Sequence, residues 1–487
     1  MKTKKLFITV LFLILTVSFS ACNQKEDHNK KDNTPTVAHT HIAAEAVKEN
    51  EVAPACEKAG TYDEVVYCSE CHEELKRTTK SIDKRSHSYQ DGICIYCKEP
   101  KASEGLNFKS NGNGTCSLEG IGSCRDANIV VPTISPSGDR VTAVSASAFY
   151  NCASLDSIRL PESVTSIGND AFAYCANLRT VMLSNNINAW GNGVFSGCSA
   201  LQCKQSDGLR YIGSEQNPYM ILVAVDDKTK AEYEVNVQTV FISNDAFSFC
   251  SNAKNIMIGD RVIGIGSGAF QSCSSLIYIT LPQHLTEINE NLFSGCNSLE
   301  SIQIPDGVTV IKNNAFAFCK SLKWIELPEG LEKIETAAFY FCSALIEISI
   351  PDSVTQIQGD VFKDCSELFS VVLPDRITVI PTALFRNCSS LKAITIPDSV
   401  TEIGTQAFEN CTSLESIVIP AAVKTIKDNA FGNCSKLKNI RFEITEGWQC
   451  FDVNTLMIDS LNLTNTEQNA AYLTFRYNQY EWKIKQS

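Results

Sequence analysis

The 487-residue sequence predicts a β-rich solenoid of stacked 23-residue coils, preceded by a small cysteine-rich module. Two observations carry the solenoid. Cysteines fall at Cys152, Cys175 and Cys198, then at Cys250, Cys273, Cys296, Cys319, Cys342, Cys365, Cys388, Cys411 and Cys434, and every step is 23 residues except one of 52. A phenylalanine stands three residues before each of these twelve cysteines, from Phe149 to Phe431. A period of this length marks a repeat whose single unit cannot bury its apolar side alone, so that stacked units share one core. A third observation carries the module: two Cys-x2-Cys pairs lie upstream of the first coil.

The chain opens on a different chemistry. Lys2, Lys4 and Lys5 precede an apolar run, "LFITVLFLILTV", and then small residues. This is the pattern of a secretory signal over residues 1–21, too short to span a bilayer. Phe19-Ser20-Ala21-Cys22 resembles a bacterial lipobox, which implies cleavage before Cys22, its lipidation and a membrane anchor. Plain cleavage after Ala21 is the alternative. The polar stretch that follows is expected to be a disordered tether over 22–52. Without the signal, 39 Lys and Arg face 55 Asp and Glu. That acidic balance argues against nucleic acid or anionic lipid as the main partner.

Residues 53–100 hold Cys68-x2-Cys71 and Cys94-x2-Cys97, with β-rich flanks at Val65–Tyr67 and Ile93–Ile95. Two such pairs make a zinc-ribbon-like signal: each knuckle presents two thiolates, and four complete a tetrahedron around one structural zinc. Cys56 makes a fifth thiol, His72 and Lys98 stand where a knuckle glycine is usual, and an exported protein can oxidise such thiols to disulfides. The sequence leaves zinc and disulfide open. A catalytic zinc is not expected, because four cysteine ligands leave no vacant position.

Within the repeats the unit reads C-x-x-L-x-x-I-x-[I/L]-P-x-x-V-x-x-I-x-x-x-A-F-x-x. In "LESIQIPDGVTVI", Leu299, Ile302 and Ile304 point inward, and Ser301–Ile304 is expected to be a strand that Pro305 ends for want of an amide. Val308 and Ile311 form a second apolar pair on the opposite side of the coil, and the Phe fills the middle. Roughly thirteen coils spaced about 4.8 Å apart give a rod of about 60 Å. The unit resembles the leucine-rich repeat of the BspA-like bacterial surface proteins, over roughly Leu106–Lys483. The resemblance implies a leucine-rich-repeat solenoid over 101–445, with an insertion near 203–240, and a C-terminal cap over 446–487. In the cap, Thr464 and Glu467 have capping-box spacing, and Trp448 and Trp482 are placed to close the core.

Catalysis is not expected. Of six histidines, only His284 lies in the repeats, so a Ser-His-Asp or Cys-His site has no place to form. Glu287 and Glu290 are solvated carboxylates by default, and "GIGSGAF" lacks the spacing of a phosphate-binding loop. Twelve cysteines in one repeated setting point to packing, with most thiols free. In-register stacking separates successive Cβ atoms by about 4.8 Å, beyond the roughly 3.5–4.5 Å of a disulfide.

A ligand is expected on the face the stacked strands create. Among its outward residues, Tyr278 and Trp324 stand out as exposed aromatics, flanked by Thr280, Gln303 and Glu326, the alternative being that the two rings only cover neighbouring coils. The family resemblance implies a monomeric cell-surface lipoprotein that binds extracellular protein partners in adhesion. A glycan-binding accessory protein and a structural spacer are the alternatives.

Overall fold

A computed structural model describes residues 41–484 apart from 57 and 453–456. The signal segment and Cys22 lie outside the described residues. The chain divides into two compact units, 1–99 and 100–487. Among the described residues, no helix is long and apolar enough to cross a membrane.

The first unit is built on an antiparallel sheet of Val47–Val52, Gly60–Tyr67 and Glu74–Ile82, with a small hairpin of Tyr89–Gln90 and Ile93–Cys94 beside it in sequence. The strand Val47–Val52 thus falls within the stretch 22–52 expected to be a disordered tether, of which residues 22–40 lie outside the described residues. Val47–Val52 is exposed along its length apart from half-buried Glu49, and it docks on the edge of Gly60–Tyr67 with Val47 opposite Val65 and Val52 opposite Thr61. Gly60 is required where it sits, because a Cβ there would come within 2.4 Å of the Val52 carbonyl oxygen. The sheet buries little: its buried hydrophobic side chains among residues 41–99 are Val65 and three cysteines, Cys56, Cys68 and Cys94.

The second unit is a leucine-rich-repeat β-solenoid of about 14 turns. Two parallel ladders run along it. One pairs the segments just before the proline, with Ser157 opposite Thr180 and Glu347 opposite Ser370; the other pairs the Val-x-x-Ile segments, with Glu287 opposite Val310 and Lys333 opposite Gln356. Each pair is 23 residues apart, so the sequence period is the ladder register. Proline ends the first strand and opens a tight turn, as where the Val308 N–H donates to the Pro305 carbonyl at 3.1 Å. Regular pairing fades in the coil expected to form a strand over Ser301–Ile304, where only Gln303 bridges to Glu326.

Between the ladders the phenylalanines stack ring on ring. From Phe270 to Phe431 successive centroids lie 5.1 to 5.7 Å apart. This favours one rotamer in every coil and puts the largest apolar group at the centre of the core. The turn that follows needs left-handed backbone. The residue before every ladder cysteine, from Asn151 to Asn433, has φ between 56° and 73° or, at Gly295, 79°. Asn, Asp and Gly suit that conformation; Tyr174, Phe249, Phe318 and Phe341 occupy it at a cost.

The insertion is a hairpin. Lys204–Ser206 pairs antiparallel with Leu209–Ile212, which pairs antiparallel with Ile221–Val225; that strand then joins the second ladder beside Phe241–Ile242. It ties together two core clusters: Ile212, Met220 and Ile221 belong to the N-terminal one, Leu209, Tyr211 and Leu222 to the C-terminal one. The solenoid ends are covered, which removes exposed strand edges. At the N-terminal end Asn107–Ser110 pairs with Thr115–Gly120. At the other, Glu481–Ile484 and Trp448–Phe451 extend the second ladder antiparallel, burying both Trp448 and Trp482. The helix Thr466–Ala471 covers the last strand of the first ladder, with Asn469 Nδ2 donating to the Ile440 and Leu463 carbonyls. Its N-cap corrects the expected capping box. Asn465, extended at φ −103°, accepts from the Glu467 and Gln468 amides, while the Thr464 hydroxyl donates to Asn462.

Candidate functional sites: the exposed ladder face and two cysteine–histidine clusters

Ten of the twelve ladder thiols are buried. Cys319 Sγ donates to the Phe293 carbonyl at 3.2 Å, and the same bond recurs from Cys175 to Phe149 and from Cys434 to Phe408. Burial pushes the thiols of Cys273, Cys319 and Cys434 up to about 12 and holds those of Cys296, Cys342, Cys388 and Cys411 well above the ordinary value. A thiol kept protonated is neither nucleophile nor ligand. Cys152 and Cys198, in coils before the insertion, are half-buried, and the ladder cysteines are free.

The face of the first ladder is small and polar, with exposed apolar exceptions. Tyr278 and Trp324 are each 56% exposed, two coils apart in one column with Ser301 between them. Thr280, Gln303 and Glu326 form the adjacent exposed column, so all five residues share one surface. A second aromatic group was not evident from the strand pattern. At the turn before the ladder cysteines, the Phe318 ring meets Tyr340 edge-on at 5.1 Å and Phe341 at 5.7 Å. The sequence signal for it is an aromatic where neighbouring coils place Asn, Asp or Gly.

A cavity of about 530 Å³ opens on the second ladder beside the insertion, where Trp190 and Phe241 lie 6.0 Å apart. Its floor is glycine-rich, at Gly191, Gly264 and Gly266. One wall is polar: Lys312 Nζ bridges Glu287 at 2.8 Å and donates to Asn289 Oδ1 at 3.0 Å.

The cysteine module departs most from expectation. The four cysteines Cys68, Cys71, Cys94 and Cys97 do not converge on one centre. Two separate groups form instead: His41 with Cys68 and Cys71, and Cys56 with His87, Cys94 and Cys97. The physical reason is that each Cys-x2-Cys turn is a closed local unit. The Cys68 N–H donates to the Glu73 carbonyl and the His72 N–H to the Cys68 carbonyl; the Cys94 N–H donates to the Glu99 carbonyl and the Lys98 N–H to the Cys94 carbonyl. His72 and Lys98 take the left-handed backbone, at φ 60° and 66°, that a knuckle glycine usually supplies. Each turn then recruits its own histidine, His41 Nδ1 at 3.4 Å from Cys71 and His87 Nδ1 at 3.5 Å from Cys97. These partners lie 27 and 7 residues before their knuckles, so no spacing announces them.

Electrostatics in the second group are uneven. Burial alone raises the Cys94 thiol, but the Cys97, Tyr96 and Ser88 amides and the His87 ring outweigh it and bring the group to about 5. Burial and the neighbouring Cys94 and Cys97 push Cys56 up to about 11.

Stacked coils in two parallel ladders, a phenylalanine spine and a capped end define a leucine-rich-repeat solenoid, a class whose members are typically non-enzymatic scaffolds. The chain belongs to the BspA type leucine-rich repeat family, whose repeat region, in six copies, matches residues 131–216, 240–369 and 360–481. Similar solved structures include a leucine-rich repeat protein from Bacteroides ovatus, 26% identical over 69% of this chain and 93% of that one, with a TM-score of 0.31. A leucine rich cell surface protein from Faecalibacterium prausnitzii is 25% identical over 72% and 96% of the two chains, with a TM-score of 0.30. A leucine-rich repeat protein from Eubacterium ventriosum is 22% identical over 71% and 95%, with a TM-score of 0.36. No curated protein matches the chain.

Proposed function

We propose that the protein is exported, anchored outside the cell by lipid on Cys22, and binds extracellular protein partners through the first-ladder face of its solenoid. The observation that carries this reading is the exposure of Tyr278 and Trp324, the two large aromatics of a sheet face that also exposes Met257, Val372 and Val418. Large aromatics left in water on a flat face are the usual anchors of a binding surface, where burial against a partner recovers their apolar area. Thr280, Gln303 and Glu326 supply the polar rim. Family membership supports an interaction or adhesion role at the surface. The acidic balance of the chain favours partners that are neutral or basic over nucleic acid.

The test is capture of purified extracellular matrix proteins by the full chain, compared with the Tyr278→Ala, Trp324→Ala double variant. Binding that falls at least tenfold in the variant, with an unchanged thermal transition, supports the reading. Equal binding by both proteins sinks it. The cavity beside Trp190 favours a second reading, a glycan ligand, since an aromatic ring next to Asn, Glu and Lys side chains is the chemistry that grips a sugar. Glycan-array binding lost in Trp190→Ala but kept in the double variant would select that reading.

A further inference from the structure

We propose that Cys56, His87, Cys94 and Cys97 form a zinc site of their own, one that does not use the first knuckle. The two unlike contacts measured inside the group are those of a tetrahedron. With zinc–sulfur bonds of about 2.3 Å and zinc–nitrogen bonds of about 2.0–2.1 Å, tetrahedral edges come to about 3.8 Å for sulfur to sulfur and about 3.5 Å for sulfur to nitrogen. Cys56 Sγ and Cys94 Sγ are 3.7 Å apart, and Cys97 Sγ and His87 Nδ1 are 3.5 Å apart. All four ligand atoms lie within 4.8 Å of one another. A disulfide would need about 2.05 Å. Three cysteines and one histidine are a complete set for a closed structural zinc, with no position left for substrate.

The need for the ion comes from the rest of the module. Val65 is its one buried hydrophobic side chain other than cysteine among residues 41–99. A unit this small with so little core requires a covalent or metal staple. The four ligands come from three separate segments: the loop after Val47–Val52, the stretch before Tyr89–Gln90, and the second knuckle. One ion holding them would fix the loop at Cys56 against the hairpin, where the Arg85 N–H already donates to the Ala55 carbonyl at 3.1 Å. On binding, each thiol gives up its proton to the solvent and coordinates as thiolate.

The first knuckle provides an internal control. His41, Cys68 and Cys71 offer three ligands, and Glu73 lies 3.4 Å from the far ring nitrogen of His41. A single four-cysteine ribbon would use Cys68 and Cys71 together with Cys94 and Cys97. The separate-site proposal leaves Cys68 out.

The experiment measures zinc content and chelator-competition affinity for the full chain purified under reducing conditions. Cys56→Ser and His87→Ala are expected to weaken the tight zinc by more than the 10–100-fold that losing an outer-shell partner costs. Cys68→Ser is expected to leave it unchanged. His87→Cys is expected to restore tight binding as a four-thiolate site, and cobalt substitution reads this directly as added sulfur-to-metal charge transfer. Recovery of tight metal binding in His87→Cys shows that the module still folds around a substituted ligand, while the solenoid's thermal transition reports the second unit alone. Tight zinc lost in Cys68→Ser, tight zinc retained in Cys56→Ser, or a zinc-free protein with Cys56 in a disulfide would each overturn the proposal.

Discussion

The thiol of Cys319 reaches back 26 residues to the carbonyl oxygen of Phe293, and that oxygen already accepts the Cys296 N–H at 3.0 Å. The cysteine therefore fills a turn without being needed to satisfy it. Cys319→Ala should cost little beyond lost packing, about 1 kcal/mol. Cys319→Ser should cost more, about 1–3 kcal/mol, because a shorter, more polar hydroxyl is desolvated in the same apolar setting. Denaturant titration of the two variants checks the order; a serine variant as stable as wild type would remove the packing account. Ligand binding should be unchanged in both, since the site is internal.

Alkali should unfold the solenoid through these same thiols. Their folded values stand near 12 at Cys273, Cys319 and Cys434, against an ordinary value of 9.0. A raised folded value means the folded state holds its proton where the unfolded chain has lost it. The stabilising contribution is thus complete below about pH 9 and declines as pH rises from there towards 12. Urea midpoints measured from pH 8 to 11 should fall, and the fall should be shallower in Cys319→Ala. Identical slopes in the two proteins would show that the thiols do not carry it.

The period and the coil were legible because one repeated set of apolar residues fixes the ladder register. Ser157 faces Thr180 for the same reason that Cys152 precedes Cys175 by 23. What was not legible depends on contacts that sequence spacing does not encode. His41 reaches its knuckle across the strands Val47–Val52 and Gly60–Tyr67, and His87 reaches its own across a short hairpin. The helix cap went to Asn465 because Asn462 engages the Thr464 hydroxyl, a competition between neighbouring polar residues. Val47–Val52 reads as tether because its composition is polar, yet it gains order from an edge partner and from Arg77, which reaches Glu49 at 3.1 Å.

Phe249 holds φ at 60° with its side chain 65% exposed, in a position where Asn151, Asn387, Asn410 and Asn433 serve other coils. Its ring recovers little by packing, and left-handed backbone costs a bulky residue roughly 1–2 kcal/mol. Phe249→Asn should therefore stabilise the protein, by about 0.5–1 kcal/mol. The same change at Phe318 should gain less, because its ring meets Tyr340 and Phe341. Paired denaturation curves decide this; destabilisation by Phe249→Asn would mean that the ring is held by its coil.

Acid should loosen the C-terminal cap first. Glu481 sits in the strand that closes the second ladder, 2.5 Å from Lys427 Nζ and 2.7 Å from Lys483 Nζ. Burial acts to raise its carboxyl, but bonds and charge from Lys427 and Lys483 outweigh it and hold it below the ordinary carboxylate value. A lowered folded value contributes stability that is complete above the unfolded value, near 4.5, and is lost as pH falls through the folded one. Trp482, adjacent to Glu481 and fully buried, reports the event by fluorescence. The wild-type emission should shift red below about pH 4.5 before the solenoid's circular dichroism changes. Glu481→Gln removes the charge at every pH, so its cap should be weaker at neutral pH and its acid-induced shift correspondingly smaller. A variant with the wild-type pH profile would place the acid-sensitive group elsewhere in the cap.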